Sequence, residues 1–166
     1  MAKAAQPVFV FKVALSGRKS IWRKIAMRGD QTLDDLHEMI FNAFDRDDEH
    51  LYSFYFPPPG TKKLAMSKLR DYAEYGCPTM CEDDGPFSDP DLPNAVETTL
   101  ASLKLKPKRL FFYLFDFGDN WWHEITVEAI DAPAEKGKYP RVVETHGDSP
   151  PQYPDYDEED EDDDDD

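Results

Sequence analysis

The chain has 166 residues, 40% of them hydrophobic, which suffices for the core of one domain but not for two full-sized ones. Of its net charge of −16, eleven negative charges lie in residues 155–166, and the remainder has 24 acids against 19 basic residues. This balance disfavours direct binding of nucleic acid, which needs clustered Lys and Arg. With two cysteines, no charged-then-apolar leader and no apolar run of ~20 residues, we expect a cytoplasmic protein that does not enter a membrane.

A hairpin followed by a capped helix is predicted at the N-terminal end. Residues 8–15 and 21–27 alternate in the manner of strands, with a turn at Gly17 between them. Thr32 and Asp35 then form a capping box, in which each side chain satisfies the other residue's free backbone donor. The residues that follow at helical spacing predict one buried stripe, made of Leu33, Leu36, His37, Ile40, Phe41 and Phe44.

The middle of the chain is predicted to be mostly irregular. A third strand is expected over 50–56, and the prolines from Pro57 onward end it. Residues 57–97 are predicted as an irregular insertion, in which 63–75 could form one short helix.

An aromatic hairpin is predicted over 109–117 and 121–130, and no regular structure is expected beyond Pro133. If Asp119 and Asn120 form a two-residue loop, Asp116 lies directly opposite His123 on one face of the hairpin. Trp122 then lies on the other face beside Phe115 and Phe117.

The class and the domain organisation follow from these elements. We expect an α+β fold, with a mostly antiparallel sheet packed on the capped helix. Residues 1–152 are predicted as a single domain. Residues 153–166 are predicted as a disordered acidic tail, because a block of like charges repels itself and buries nothing.

Four ordered motifs resemble the plasmid open-reading-frame-three-like family, which was first named from a root-inducing plasmid. Its members are also labelled passenger proteins of an insertion element, with a suggested link to regulating transposition. The resemblance implies a mostly antiparallel, mixed sheet with one packed helix, reminiscent of a β-grasp. The matching segments are Trp22-Arg23-Lys24-Ile25, Thr32-Leu33-Asp34-Asp35-Leu36-His37, His50-Leu51, and Tyr113 to Asp119 with Trp121 and His123-Glu124.

Three histidines and two acids of these motifs are candidates for a site. His37, His50 and His123 could bind a metal ion, because neutral imidazole and carboxylate are suitable ligands. Alternatively, His123 could act as a general base oriented by Asp116, with Asp119 nearby. A third possibility is a buried polar network, in which His37 bonds to Asp116 or to a backbone carbonyl and fixes the helix against the sheet.

Two functional hypotheses follow. The first is a non-enzymatic interaction or regulatory module without a cofactor, which binds protein partners through Trp122, Phe115 and Phe117 and through its acidic tail. The second is a metal-dependent or acid–base enzyme that uses the His/Asp cluster. The sequence lacks a Gly-x-Ser-x-Gly nucleophile, a phosphate loop and a dinucleotide fingerprint, which favours the first. Cys77 and Cys81 form one cysteine pair, whereas a zinc ribbon needs two.

Overall fold

The described residues form one seven-stranded sheet, which carries a helix on its inner face. The computed structural model describes residues 8–46, 50–82, 91–116, 120–132 and 139–150. The strands are β1 (Val8–Leu15), β2 (Arg18–Arg28), β3 (Tyr52–Phe56), β4 (Ala73–Gly76), β5 (Leu110–Phe115), β6 (Trp121–Ala132) and β7 (Arg141–His146). Their order across the sheet is β4-β3-β5-β6-β1-β2-β7, and every neighbouring pair is antiparallel. The predicted antiparallel sheet is therefore confirmed, whereas the likeness to a β-grasp stays a prediction.

The N-terminal hairpin forms because its side chains alternate between two environments. In the β1–β2 ladder Phe11 pairs with Ile25, and both are buried on the inner face. Lys12 pairs with Lys24 on the outer face, where both side chains are half-buried. On its other side β1 pairs with β6, so the two predicted hairpins become one continuous sheet.

The predicted helix, α1 (Leu33–Ala43), begins as the sequence indicates. The backbone N–H of Asp35 donates to Thr32 Oγ1 over 3.2 Å, and that of Thr32 donates to Asp35 Oδ2 over 2.9 Å. Five of the six residues in the predicted stripe are buried, and Phe41 is half-buried. This face covers the inner side of the sheet and forms the core with it.

The predicted register of the aromatic hairpin is wrong by three residues. Phe115 pairs with Trp121 and Tyr113 pairs with His123, so the connection comprises residues 116–120 instead of two residues. Because side chains alternate with a period of two, this odd shift exchanges the faces of β5 relative to β6. His123 therefore shares its face with Tyr113 and Phe115.

Two regions contain structure that the sequence analysis did not predict. Strand β7 lies beyond Pro133 and pairs with β2 at the edge of the sheet. Residues 57–97 contain strand β4 and a short helix, α2 (Pro78–Glu82), neither of which was expected. They also contain a 3₁₀ helix (Met66–Asp71), which lies within residues 63–75, where one short helix was considered possible. Five of the six β7 side chains are exposed, so no hydrophobic alternation marked the strand.

The capping box gives a direct test of the helix start. Replacing Thr32 by Ala removes the acceptor for the Asp35 N–H, and we expect a loss of about 1 kcal/mol in the free energy of unfolding. Urea denaturation at pH 7 measures this change. A matched Thr61→Ala variant removes a hydroxyl hydrogen bond at a surface turn and should cost less than half as much. Equal losses would show that the cap contributes nothing specific.

Candidate functional site

Two of the three predicted histidines are buried on opposite sides of Tyr113. The Tyr113 hydroxyl lies 2.6 Å from His37 Nδ1, and the Tyr113 carbonyl oxygen lies 3.3 Å from His123 Nδ1. Burial lowers the pKa of both imidazoles to about 3, so both are neutral at pH 7. These contacts join α1 to β5 and connect β5 to β6 beyond the backbone ladder. The buried polar network was expected to join His37 to Asp116 or to a backbone carbonyl, whereas His37 contacts the hydroxyl of Tyr113.

Arg46 encloses the other side of His123. Its Nη2 lies 3.1 Å from His123 Nε2, so Nε2 is the acceptor and Nδ1–H donates to the Tyr113 carbonyl. The guanidinium also lies over the rings of Trp121 at 4.7 Å and Phe115 at 5.3 Å. Burial lowers the pKa of Arg46 to about 10. With 0% of its surface exposed and both nitrogens engaged, His123 serves the packing of the core.

His50 has a different environment, at the edge of a cleft of about 450 Å³. Its side chain is 34% exposed, and its Nε2 lies 3.4 Å from Asp116 Oδ2. The backbone of Asp116 has φ 65°, in the left-handed region, and its N–H donates to the Leu51 carbonyl over 2.9 Å. This backbone bond holds the carboxylate beside the imidazole. The cleft is lined by Asp34, His37, Glu38, His50, Leu51, Tyr52, Cys77, Pro78 and Thr79.

The floor of this cleft is an aromatic and acidic surface. The ring of Tyr52 stacks on His37 with centroids 3.9 Å apart, and its hydroxyl donates to Asp34 Oδ1 over 2.5 Å. Burial and the Asp34 carboxylate raise the pKa of Tyr52, so its hydroxyl keeps its proton. Burial and the nearby Asp34 and Asp35 also raise the pKa of Glu38. No Lys or Arg side chain is among the residues that line the cleft.

The three predicted metal ligands do not meet at one point. His37 and His50 line the same cleft, whereas His123 is enclosed by Tyr113 and Arg46. Within the described ranges, no group of three or more His, Cys, Asp or Glu side chains has a geometry that could hold a metal ion. Asp119 and Phe117, two further candidates, lie outside the described residues.

Trp122 and Phe115 were predicted to share one face of the sheet, but the observed register places them on opposite faces. Trp122 lies on the outer face, opposite Leu114, with its ring 5.5 Å from that of Tyr55. The expectation that Phe115 shares this face is wrong, because Phe115 is fully buried beneath α1, in contact with Phe41.

A second tryptophan, Trp22 on β2, also lies on the outer face of the sheet. The Trp22 ring stacks on His146 at 5.2 Å, with Lys12 and Lys24 at 5.0 and 5.5 Å from its centroid. The alternation of β2, with Arg23 and Ile25 facing inward, places Trp22 outward. The alternation of side chains along β2 was therefore the feature of the sequence that could have placed Trp22 on the outer face.

Comparison with known proteins agrees with the resemblance in the motifs. The family model described as plasmid pRiA4b ORF-3-like protein matches residues 7–155, which is most of the chain. The chain therefore belongs to this family.

Two relatives cover most of the chain. The first is 30% identical over 134 residues, an uncharacterized protein named y4hQ from Sinorhizobium fredii (strain NBRC 101917 / NGR234). The match covers 80% of this chain but only 58% of that protein's length. A solved structure from Methanosarcina mazei Go1, titled a protein of unknown function, MM3350, is similar with a TM-score of 0.65 and 25% identity. It matches 90% of this chain and 74% of its own.

The described helices are short, and none has both the length and the hydropathy that crossing a bilayer would require.

The buried histidines predict a steep loss of stability in acid. Because their pKa is about 3 in the folded protein and 6.5 in the unfolded chain, unfolding takes up protons once the pH falls below about 6.5. Stability that is complete above this pH should be lost as it falls toward 3, at about 1.4 kcal/mol per pH unit for each histidine. A His37→Gln variant removes one titrating group but keeps polar atoms for Tyr113. Its slope in urea denaturation between pH 5.5 and 4.5 should be smaller by that amount, and an unchanged slope would contradict a neutral, buried His37.

Proposed function

We propose that this member of the plasmid pRiA4b ORF-3-like family is a non-enzymatic interaction module, which binds a protein partner through the outer face of its sheet. One observation carries the proposal. The outer face over β6, β1 and β2 presents two half-buried indole rings, Trp22 and Trp122, while α1 packs on the opposite face. Tryptophan in a partly buried, rigid setting is the side chain that most often supplies binding energy in protein interfaces.

The charges around these rings favour a protein over a nucleic acid. Lys24 Nζ lies 2.9 Å from Glu128 and 3.7 Å from Glu144, and Lys19 Nζ lies 3.1 Å from Glu124. The Glu128 carboxylate raises the pKa of Lys24. Because Lys19 and Lys24 already have carboxylate partners, these two described lysines of the outer sheet face are poorly placed to neutralise phosphates. Paired charges around an aromatic centre resemble the polar rim of a protein interface.

The buried histidines also support this proposal over the enzymatic alternative. His37 and His123 make hydrogen bonds within the core and are neutral at pH 7, so their motif positions have a structural explanation. The regulatory role that the family resemblance implies is compatible with such a module, since regulation can act through binding alone.

Removal of the outer indole ring should weaken partner binding while leaving the fold intact. We expect Trp122→Ala to raise the Kd for a purified partner at least tenfold, because the ring would supply about 1.4 kcal/mol or more of the binding energy. The partner would first be isolated by its stoichiometric association with the wild-type chain. Titration calorimetry then measures the Kd, and thermal denaturation confirms folding.

Val143→Ala is a matched control, because Val143 is exposed on β7 and lies away from both indole rings. It should leave the Kd within twofold of the wild-type value. Equal affinity for the Trp122→Ala variant, with normal folding, would contradict binding through this face.

A second function, acid–base catalysis, is favoured by one observation, the pairing of His50 with Asp116 at the edge of the cleft. A solvent-reachable imidazole held by a carboxylate can accept a proton from water or from a substrate hydroxyl. This assignment replaces His123 of the sequence hypothesis by His50 and keeps Asp116.

If this second function is correct, hydrolysis of a small ester or amide should fall at least 100-fold in both His50→Gln and Asp116→Asn. Initial rates over a panel of such substrates measure the effect. Glu124→Gln, on the outer sheet face, is the control and should keep the wild-type rate. Activity that persists in His50→Gln would exclude His50 as the base.

A further inference from the structure

A concave basic surface lies at the opposite end of β5 from the histidines. Residues 103–109, which lead into β5, meet the turn after β3 at Pro59 and Gly60. Together they enclose a pocket of about 430 Å³, which we call the basic pocket. Its lining consists of Pro59, Gly60, Leu103, Lys104, Lys106, Pro107, Lys108 and Arg109.

The basic pocket contains four cationic side chains and no acidic one. Lys104, Lys106 and Lys108 are exposed, and Arg109 is half-buried over the ring of Phe56 at 5.9 Å. None of the four forms an ion pair with a carboxylate among the described residues, in contrast to the lysines of the outer sheet face. Burial lowers the pKa of Arg109, which is the expected result for a cation without a nearby carboxylate.

The backbone concentrates these charges in a short stretch. Lys104 and Lys108 have φ of 54° and 74°, a left-handed conformation that side chains other than glycine rarely adopt. The N–H of Lys108 donates to the Val127 carbonyl over 2.7 Å, which fixes the stretch to β6. The lysines are therefore held on an anchored loop, and their mutual repulsion is not relieved by any described acid. Such a site would be stabilised by a polyanion.

We propose that the basic pocket binds the carboxylates of the chain's own C-terminal segment, residues 155–166. That segment has eleven acids in twelve positions, whereas the rest of the chain has a net charge of about −5. The most acidic segment thus occurs in the same molecule as a pocket of four cations that have no carboxylate partner in the described part of the chain. Because the segment is covalently attached, its effective concentration at the pocket is on the order of millimolar.

The connection is long enough for this contact. The last described residues lie beside the C-terminal end of α1, where Ser149 Oγ donates to the Phe44 carbonyl. The basic pocket lies near the other end of α1, since Ala101 and Leu100 donate to the Gly29 and Gln31 carbonyls just before the helix. An 11-residue helix is about 16 Å long, whereas the 16 residues after Pro150 can extend to about 50 Å. The acidic segment can therefore reach the pocket without unfolding the sheet.

The contact would be electrostatic and reversible. It requires no fixed conformation of the acidic segment, so it is compatible with the predicted disorder of residues 153–166. High salt should release the segment, because exposed charges are screened at a Debye length of about 3 Å in 1 M salt.

Zero-length crosslinking of the full chain tests the proposal. A carbodiimide joins an amine to a carboxylate only when the two are in contact, and the monomer fraction is then digested with trypsin. The acidic segment remains on one peptide, because no Lys or Arg follows Arg141. We expect mass spectrometry to find this peptide linked to Lys104, Lys106 or Lys108, with at least fivefold lower yield in 0.5 M NaCl.

Lys63 and Lys68 are exposed, lie outside the pocket and serve as internal controls. Equal linkage of the acidic segment to these lysines and to the pocket lysines would overturn the proposal. As a second measurement, the variant in which Lys104, Lys106 and Lys108 are all replaced by Gln should shift the amide NMR signals of residues 155–166. The Lys63→Gln/Lys68→Gln variant should leave these signals unchanged. Signals that are identical in the triple variant and the wild type would also overturn the proposal.

Discussion

Tyr113 connects the helix to the sheet through its hydroxyl and joins β5 to β6 through its carbonyl, and both buried histidines depend on it. The hydroxyl meets His37 on α1, and the carbonyl meets His123 on β6. Since both imidazoles are buried, an unpaired ring nitrogen would cost about 1–3 kcal/mol. Tyr113 provides both partners from the centre of the sheet. Because the Tyr113 carbonyl accepts from Nδ1–H of His123, the other ring nitrogen, Nε2, carries no proton and accepts a hydrogen bond from Arg46.

A second constraint is the placement of two arginines around Phe44, at the C-terminal end of α1. Arg23 lies 4.9 Å from the centroid of this ring, and Arg46 lies 5.6 Å from it. Arg23 donates from Nε to the Ala43 carbonyl over 2.9 Å, and from NH1 to the carbonyls of His146 and Gly147. Positive charge is favourable at this end of a helix dipole, which offsets part of the cost of burying it. Arg23 thereby joins α1 to the end of β7.

The elements that could be predicted from the sequence are those whose pattern lies within a few neighbouring residues. The capping box of Thr32 and Asp35, and the alternation in β1, are both readable from neighbouring residues, and both elements occur as expected. Strand β7 was missed because an edge strand can be held by the ladder to β2 while its side chains remain in water. Its pattern therefore contains no hydrophobic alternation.

The site was only partly predictable, for a related reason. His50, Asp116 and His123 were all candidates from the sequence, but the pairing of Asp116 with His123 assumed a two-residue loop, whereas the connection comprises residues 116–120. An odd shift in register turns a residue to the other face, and composition alone does not reveal it. The pairing of His50 with Asp116 joins the residues just before β3 and just after β5, and spacing along the chain does not reveal that these two strands are neighbours.

The position of β6 between β5 and β1 has a consequence for how the chain folds. β1 ends at Leu15 and its partner β6 begins at Trp121, so this ladder joins segments more than 100 residues apart. Closing so large a loop costs chain entropy before the hydrogen bonds and packing of the ladder can offset that cost. Folding rates therefore fall as contacts become more distant in sequence. During synthesis, both edges of the N-terminal hairpin stay unpaired until β6 and then β7 have left the ribosome, since β6 pairs with β1 and β7 pairs with β2. The inner faces of β1 and β2 are rich in apolar residues, so the nascent chain is most vulnerable to aggregation during this interval.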